Sequence, residues 1–499
     1  MKNFQYYLAT TEEVGFVEAC NHAIVYANGL PQTKLMEIVM FESGELGVVL
    51  SLNRDQVEIL LFSKEAVKAG TRVTRTGRTQ EMPVGFELLG QTVNPFGQPL
   101  NTEKEIEQPK FSRAMDIDPT GINTRHRITA PFETGVTMVD MLVPLGKGQR
   151  QLVIGDRKTG KTSFLYQTIL KQARLGTICI YAAIGKKQTD IKKVENFFKG
   201  AGISDKTIIV AAGSEDPSGN IYLTPYAAMT LAEYFRDEGH DVLVVLDDLF
   251  THAKFYREIM LIGRRFPGRN AYPADIFYTH ARLLERAGNF VLQNGSEHAI
   301  TCLPVVESVE GDIAGFIQTN LMSMTDGHLY FDNDMFGRGR RPAINSFLSV
   351  SRVGRQTQTP LRLSLHRELV SFLTLHQRLE NFSHFSAEAG AGIKRTIEVA
   401  DRIFAFFTQN ASDVKNLDLQ LIIFGLLWMD YWREIPIMER DIVQIDQVYE
   451  SNIEAQALVK EIVGRSPTLN DMLLDIKKNQ ERILTIFGVQ HAPAAVPKV

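Results

Sequence analysis

The octapeptide Gly155-Asp156-Arg157-Lys158-Thr159-Gly160-Lys161-Thr162 constrains this chain more than any other stretch. It fits G-x-x-x-x-G-K-[ST], and it stands between a strand-forming run at 151–154 and a helix-period run at 162–175 that Gly176 closes. The glycines let backbone N–H groups curl around a phosphate. A helix beginning near Thr162, with Ser163 next in line, turns its partial positive end toward the same anion. Lys161 adds a mobile cation for the β and γ phosphates. Thr162 offers a hydroxyl to Mg²⁺, an ion that takes oxygen ligands and keeps several waters. A strand, a glycine-rich loop and a helix in that order also require a mostly parallel sheet covered on both faces.

The neighbouring sequence supplies that sheet. Further strands are expected at 177–183, 207–212, 242–246 and 299–306, with helical stretches between them. The run Val242-Leu243-Val244-Val245-Leu246 ends in Asp247-Asp248, about 85 residues beyond the phosphate loop. A buried strand ending in Asp sets a carboxylate at the carboxyl edge of the sheet, where it can hold a magnesium-bound water. A nucleotide hydrolase also needs a carboxylate near the attacking water. The place after the next strand reads Ile184-Gly185-Lys186-Lys187-Gln188, with no acid. A charged lysine can pair with a γ-phosphate but cannot take a proton from water. The site is therefore expected to bind nucleotide well and hydrolyse it poorly.

On either side the pattern changes. Short β-branched runs at 14–17, 23–27, 35–41, 46–52 and 57–62 imply a small N-terminal barrel. A Gly/Pro-punctuated bridge follows, from about 76 to 131. Beyond Pro360 the strand signal fades, and 362–407, 417–432 and 453–487 read as helices before a frayed tail at 491–499. The expected plan is multidomain: a small β-barrel at 1–75, a central RecA-like α/β P-loop NTPase domain at 76–358 and an α-helical domain at 359–499. Trp428 and Trp432, four residues apart, are expected to pack one helix.

Composition narrows the class. Lys+Arg is 54 against Asp+Glu 58, too balanced for a chain whose main partner is nucleic acid or an anionic membrane. Residues 13–62 carry only Lys34 and Arg54 as cations, which argues against an RNA-binding barrel and so against a hexameric helicase. Cys20, Cys179 and Cys302 form neither a metal spacing nor a disulfide framework. The longest apolar run, 421–429, is short of the ~20 residues that cross a bilayer.

Several long stretches together resemble the alpha subunit of F-type ATP synthases. They are TGVTMVDMLVPLGKGQRQLVIGDRKTGKT, RRFPGRNAYPADIFYTHARLLERAG (264–288), ESVEGDIAGFIQTNLMSMTDGHLYF (307–331) and RPAINSFLSVSRVG (341–354). The resemblance implies a subunit that alternates with three catalytic beta subunits in an alpha3-beta3 ring around a rotor stalk. Its own Mg-ATP (or ADP) site would be non-catalytic and regulatory, in a complex that couples ATP synthesis or hydrolysis to proton or sodium transport. Location would be peripheral, on the cytoplasmic face of the cell membrane or an organellar inner face, with no nucleic acid. Carried over residue by residue, the site would use Gly155–Thr162 and Ser163, with Thr162 and Asp247 on the metal side, Glu307 as a nearby acid, Phe336, Arg341 and Pro342 as the adenine wall, and Gln409 toward the base. Arg352 would reach the neighbouring beta subunit's nucleotide, and Ser349 would help aim it.

Three departures accompany the resemblance. Lys186 stands where the family has glutamine, an added charge expected to favour retained nucleotide. Only about a dozen residues precede the first strand, so the N-terminal helix that docks the peripheral stalk is expected to be absent and that attachment altered. The segment GRQTQTPLRLSLHRE after Arg352 is shorter than the family's. These fit an alternative: an alpha-like subunit of a specialised rotary ATPase not used for ATP synthesis. A secretion-type homohexameric ATPase would need a glutamate at 186 or 187, where both residues are lysine.

Overall fold

The computed structural model describes residues 3–100, 107, 109–383 and 391–489. The expected tail at 491–499 and the part of the expected 362–407 helix at 384–390 lie outside them. The chain divides into two compact units. One holds residues up to Ile128, Lys147–Arg157 and Gln172–His328; the other holds Thr129–Gly146, Lys158–Lys171 and residues from Leu329 onward.

The first unit begins with a closed six-stranded barrel: β1 (Val14–Asn21), β2 (Ile24–Asn28), β3 (Glu37–Phe41), β4 (Leu46–Leu52), β5 (Val57–Leu61) and β6 (Arg72–Thr79), in the order β1-β2-β5-β4-β3-β6. Inward positions of successive strands supply one cluster, with Val25, Val39, Phe41, Val49, Ile59 and Val73 fully buried. The sequence showed five of these strands. The sixth, RVTRTGRT, reads as polar, yet Thr74 is as buried as Val73, and Arg75 leaves the barrel wall to pair with Glu13 and Glu37 at 2.9 and 3.1 Å. Residues Phe4–Thr11 form a helix where none was expected. Phe4 and Tyr7 pack on Met40 of β3, so this turn of chain is sewn to the barrel by its aromatic face.

The same unit carries the parallel sheet. Its strands run Gln151–Gly155, Glu297–Glu307, Val242–Asp247, Ile178–Lys186, Thr207–Gly213 and Thr92–Val93, each parallel to the next. Val242–Asp247 is buried at every position, as a strand covered on both faces must be. The registers place Gly155 opposite Glu307 and Ala183 opposite Asp247. Four strand ends therefore gather at one edge: the start of the phosphate loop, Glu307, Asp247 and Lys186.

In the second unit the helices are Pro360–Ser383, Ala391–Phe407, Leu417–Trp428, Ile435–Ser451, Ile453–Arg465, Leu469–Lys478 and Gln480–Phe487. The expected helix at 453–487 is three. Pro467 has no N–H to continue the first, and the Thr468 hydroxyl caps the second by accepting from Asp471 N. The helix expected to reach 432 stops at Trp428, because Asp430 takes a φ of 61°. Trp432 therefore leaves the helix that Trp428 shares. It is fully buried instead, with its indole N–H donated to Asp441 at 3.0 Å.

Candidate functional site

The loop after Gly155 has the backbone its sequence requires, with φ of 64° at Lys158 and 95° at Gly160 before the helix Lys161–Arg174 begins. The first turn of any such helix presents N–H groups without intrahelical partners. Arg157, Lys158, Thr162 and Ser163 are exposed, whereas Thr159 and Lys161 are buried. Asp156 is a brace rather than a contact for an anion. Its carboxylate accepts from the Ser308 hydroxyl at 2.6 Å and from Gly311 N at 2.9 Å, tying the loop's start to the turn after the Glu307 strand. Arg157 donates to Glu307 at 2.8 Å, so those two expected site residues meet.

The sheet edge in the first unit carries an arrangement that sequence reading did not foresee. The Lys186 ammonium lies 2.7 Å from one oxygen of Asp247 and 3.4 Å from Asp248. The Tyr181 hydroxyl donates to the other oxygen of Asp247. Asp248 also caps the helix Leu249–Ile262, accepting from Thr251 N at 2.6 Å and from the Thr251 hydroxyl at 3.1 Å. Gly185 makes this geometry possible. It has a φ of 63°, and a Cβ there would lie 2.8 Å from Thr251 Cγ2. The kink it allows comes at a register break in the strand pairing and brings Lys186 to the two acids. Burial opposes the charge on Lys186, but Asp247 and Asp248 outweigh it and hold the ammonium well above its ordinary range. Burial raises the Asp248 carboxyl, with Lys186 pulling the other way.

Magnesium was expected beside Thr162 and Asp247. The donor set at Asp247 does not fit it. A divalent ion, or a water bound to one, needs a carboxylate oxygen facing open space. Here one oxygen holds an ammonium and the other a phenol. The signal was present in the sequence, since Lys186 follows a strand adjacent to the one ending in Asp247; only the parallel register tells how close the two come.

In the second unit the expected adenine-side residues do converge. The Arg341 guanidinium stacks on the Phe336 ring at 3.5 Å, the Arg341–Pro342 bond is cis, and Gln409 N donates to Arg341 O at 2.9 Å. Arg341 and Pro342 line a cavity of about 130 Å³ walled by Phe347, Phe404 and Phe407. The Gln409 side chain is fully engaged with backbone. It accepts from Thr137 N at 2.7 Å and donates to Gly135 O at 3.0 Å and Asp413 O at 3.1 Å. In this state it clamps the chain rather than facing a ligand.

Arg352 stands apart. It is exposed, and among the described residues it makes no hydrogen bond or ion pair. Its neighbours are tightly held. The Ser349 hydroxyl donates to Asn345 O at 2.6 Å and accepts from Tyr330 N at 3.0 Å. The Ser351 hydroxyl donates to Pro144 O at 2.6 Å and accepts from Gly354 N at 3.2 Å. An exposed cation thus projects from a fixed platform.

Comparison with known proteins follows the same lines. A family model described as the ATP synthase alpha/beta family, nucleotide-binding domain, matches residues 135–351. The ATP synthase subunit alpha of Lactobacillus delbrueckii subsp. bulgaricus is 37% identical over 466 residues, covering 92% of each chain. That of Clostridium acetobutylicum is 36% identical over 478 residues, 96% of this chain and 94% of its own. That of Staphylococcus aureus is 40% identical over 452 residues, 88% and 87%.

Proposed function

The chain belongs to the family of ATP synthase alpha subunits, and from that premise we propose that it serves in the soluble head of an F-type rotary complex as the subunit that holds a nucleotide without splitting it. The nucleotide, ATP or ADP, sits on the loop Gly155–Thr162, with Phe336, Arg341 and Pro342 toward its base. Beta-type subunits alternate with this one around a central rotor stalk and carry out the chemistry. Coupling to proton or sodium movement belongs to the membrane sector. Association with the membrane is peripheral; no helix among the described residues is long and apolar enough to cross a bilayer.

The observation that carries the non-catalytic reading is the Lys186 pair. Attack by water on a γ-phosphate needs a group that orients or deprotonates the water. At the end of Ile178–Lys186 the chain offers an ammonium locked to Asp247 and Asp248. A cation there supports phosphate binding and leaves no base for hydrolysis.

Arg352 supplies what the chain gives its neighbour. A guanidinium is charged at every accessible pH and forks onto phosphate oxygens. Supplied in trans to a site of phosphoryl transfer, such a group accelerates turnover by ~10³–10⁵. Ser349 acts on its placement through the Asn345 and Tyr330 bonds. The test is reconstitution with a beta-type partner. The chain alone should retain nucleotide with negligible hydrolysis, and Arg352→Ala should leave the complex assembled while abolishing steady-state turnover. Brisk hydrolysis by the isolated chain, or undiminished turnover by the variant complex, would refute the assignment.

A further inference from the structure

In the second unit, every polar atom of Asn345 is engaged. Its backbone N donates to Tyr330 O at 2.9 Å, and its backbone O accepts from Ser349 N at 3.0 Å and from the Ser349 hydroxyl at 2.6 Å. The side-chain oxygen accepts from Phe347 N at 3.1 Å and Leu348 N at 3.2 Å, winding the chain into the turn that leads to Arg352. The side-chain amide donates to one oxygen of Asp332 at 3.0 Å. The other oxygen of Asp332 caps the helix Asn333–Gly337, accepting from Asp334 N at 2.8 Å and Met335 N at 3.3 Å. That helix has five residues, far fewer than a helix needs to stand alone in water, and it carries the Phe336 ring on which Arg341 stacks. Between the two side chains the backbone is fixed: Asp332 N donates to Ala343 O at 2.8 Å, and Ala343 and Ile344 are fully buried.

We propose that Asp332 and Asn345 are positioning residues for Arg352, and that the hydrogen bond between them fastens the arginine's platform to the wall that receives the base of this chain's own nucleotide. Three physical points support it. First, Phe347 and Leu348 are exposed, so little burial holds the turn before Arg352, and the bonds to Asn345 hold it instead. Second, an amide fits its place two ways round, and only one leaves an oxygen for Phe347 N and Leu348 N. A carboxylate accepts and does not donate, so Asp332 decides which way Asn345 faces. Third, Asp332 is itself held by two N–H groups of the helix that carries Phe336, so it cannot swing away without uncapping that helix. A base stacked on Phe336 and Arg341 steadies the helix, the helix holds Asp332, and Asp332 orients the asparagine on which the turn is wound.

The inference rests on the reading of Arg352 as a group given to a neighbouring site, and the experiment separates the two. The complex reconstituted with a beta-type subunit is assayed for steady-state ATP hydrolysis, with Arg352→Ala as the reference. Asp332→Asn leaves one oxygen for two tasks, the cap and the bond to Asn345. Asn345→Asp keeps an oxygen for Phe347 and Leu348 but sets a second acceptor against Asp332. Each should lower kcat by about tenfold or more with little change in KM. The double variant again faces one donor with one acceptor, the roles exchanged, and its kcat should return to within about threefold of wild type. Nucleotide affinity of each isolated single variant should stay within about threefold of wild type, because asparagine caps a helix as well as aspartate does. Wild-type kcat in the assembled single variants, or a double variant no better than they are, overturns this inference; an inactive Arg352→Ala complex then leaves the arginine reading standing. Full turnover by Arg352→Ala overturns that reading and this inference with it. Loss of nucleotide from the isolated single variants, matching their loss of turnover, would assign the pair to the base wall alone and also overturn the inference. The single variants are independent, so either decides the matter if the other fails to assemble.

Discussion

Placement of Arg352 depends on how closely the backbone at Gly354 approaches Pro144. A Cβ built at Gly354 would lie 1.7 Å from the Pro144 carbonyl oxygen and 2.5 Å from its carbon. That is roughly 1.3 Å inside the closest approach a methyl carbon tolerates. Backbone atoms cannot rotate away as a side-chain tip can, so Gly354→Ala must push the 351–354 segment off Pro144 by about that distance. The Ser351 bond to Pro144 O and the Gly354 bond to Ser351 are lost in the process. Overpacking of this kind costs about 1–3 kcal/mol of stability, within what a chain of this size survives. The functional effect is larger in proportion. A displacement of ~1 Å in a group that must meet developing charge lowers turnover by about 10²-fold. The assay is steady-state ATP hydrolysis by the complex reconstituted with a beta-type subunit, at saturating ATP. The fall should appear in kcat with little change in KM, because the arginine acts on charge that builds during reaction. Nucleotide retained by the isolated variant chain should be unchanged. Wild-type kcat in a well-assembled Gly354→Ala complex would show that Arg352 is not aimed by this platform.

Other expectations concern the interior of the first unit. Arg286 is buried and bidentate to Glu233 at 2.9 and 2.6 Å, and it also donates to Met115 O at 2.9 Å. Arg286→Leu strands a carboxylate in the core and should cost about 3–5 kcal/mol by denaturant melt, much of it recovered when Glu233 is replaced by Leu as well. His252 meets His280 at 3.0 Å, and burial pushes His252 down to about 4. A histidine depressed in the folded state binds its proton in the unfolded chain first. Stability is therefore complete well above pH 6.5 and falls as pH drops toward 4, by about 1.5 kcal/mol between pH 6.5 and 5 from this residue. Thermal melts across that range should show the slope, and His252→Asn should flatten it. Gly185→Ala should destabilise by about 1–2 kcal/mol, since its φ of 63° suits glycine and its Cβ would press on Thr251.

How much of this was legible in the sequence depends on whether the signal is local. The phosphate loop, the strand ending at Asp247 and the five apolar barrel strands follow from period and punctuation over a few residues. The sixth barrel strand did not, because Arg72–Thr79 is stabilised by partners far along the chain, Glu13 and Glu37 among them. The helix Ile435–Ser451 was missed for a similar reason. It starts with Pro436 in its first turn and buries only Met438, Asp441, Ile442, Ile445 and Tyr449, a stripe broken by an acid. That acid makes sense only once Trp432 is seen donating to it.

The site shows the same division more sharply. Sequence alone placed Lys186 where a catalytic acid was missing, a statement about one residue and its chemistry. What Lys186 does instead depends on the register of two parallel strands. With Ala183 opposite Asp247, a lysine three residues later would run past the acid on a straight strand. The left-handed turn at Gly185 brings it back, and no periodicity rule anticipates a single glycine in that role. A residue's identity therefore told what the site lacks, and the backbone told what replaced it. In this chain the residue that offers no base on the water's side also sets a cation against the acid that ends the adjacent strand. The cation at Asp247 and the missing base are then two consequences of one side chain, and Lys186→Gln should separate them: it removes the charge held by Asp247 and Asp248 without gain of turnover by the isolated chain, because glutamine is no base either.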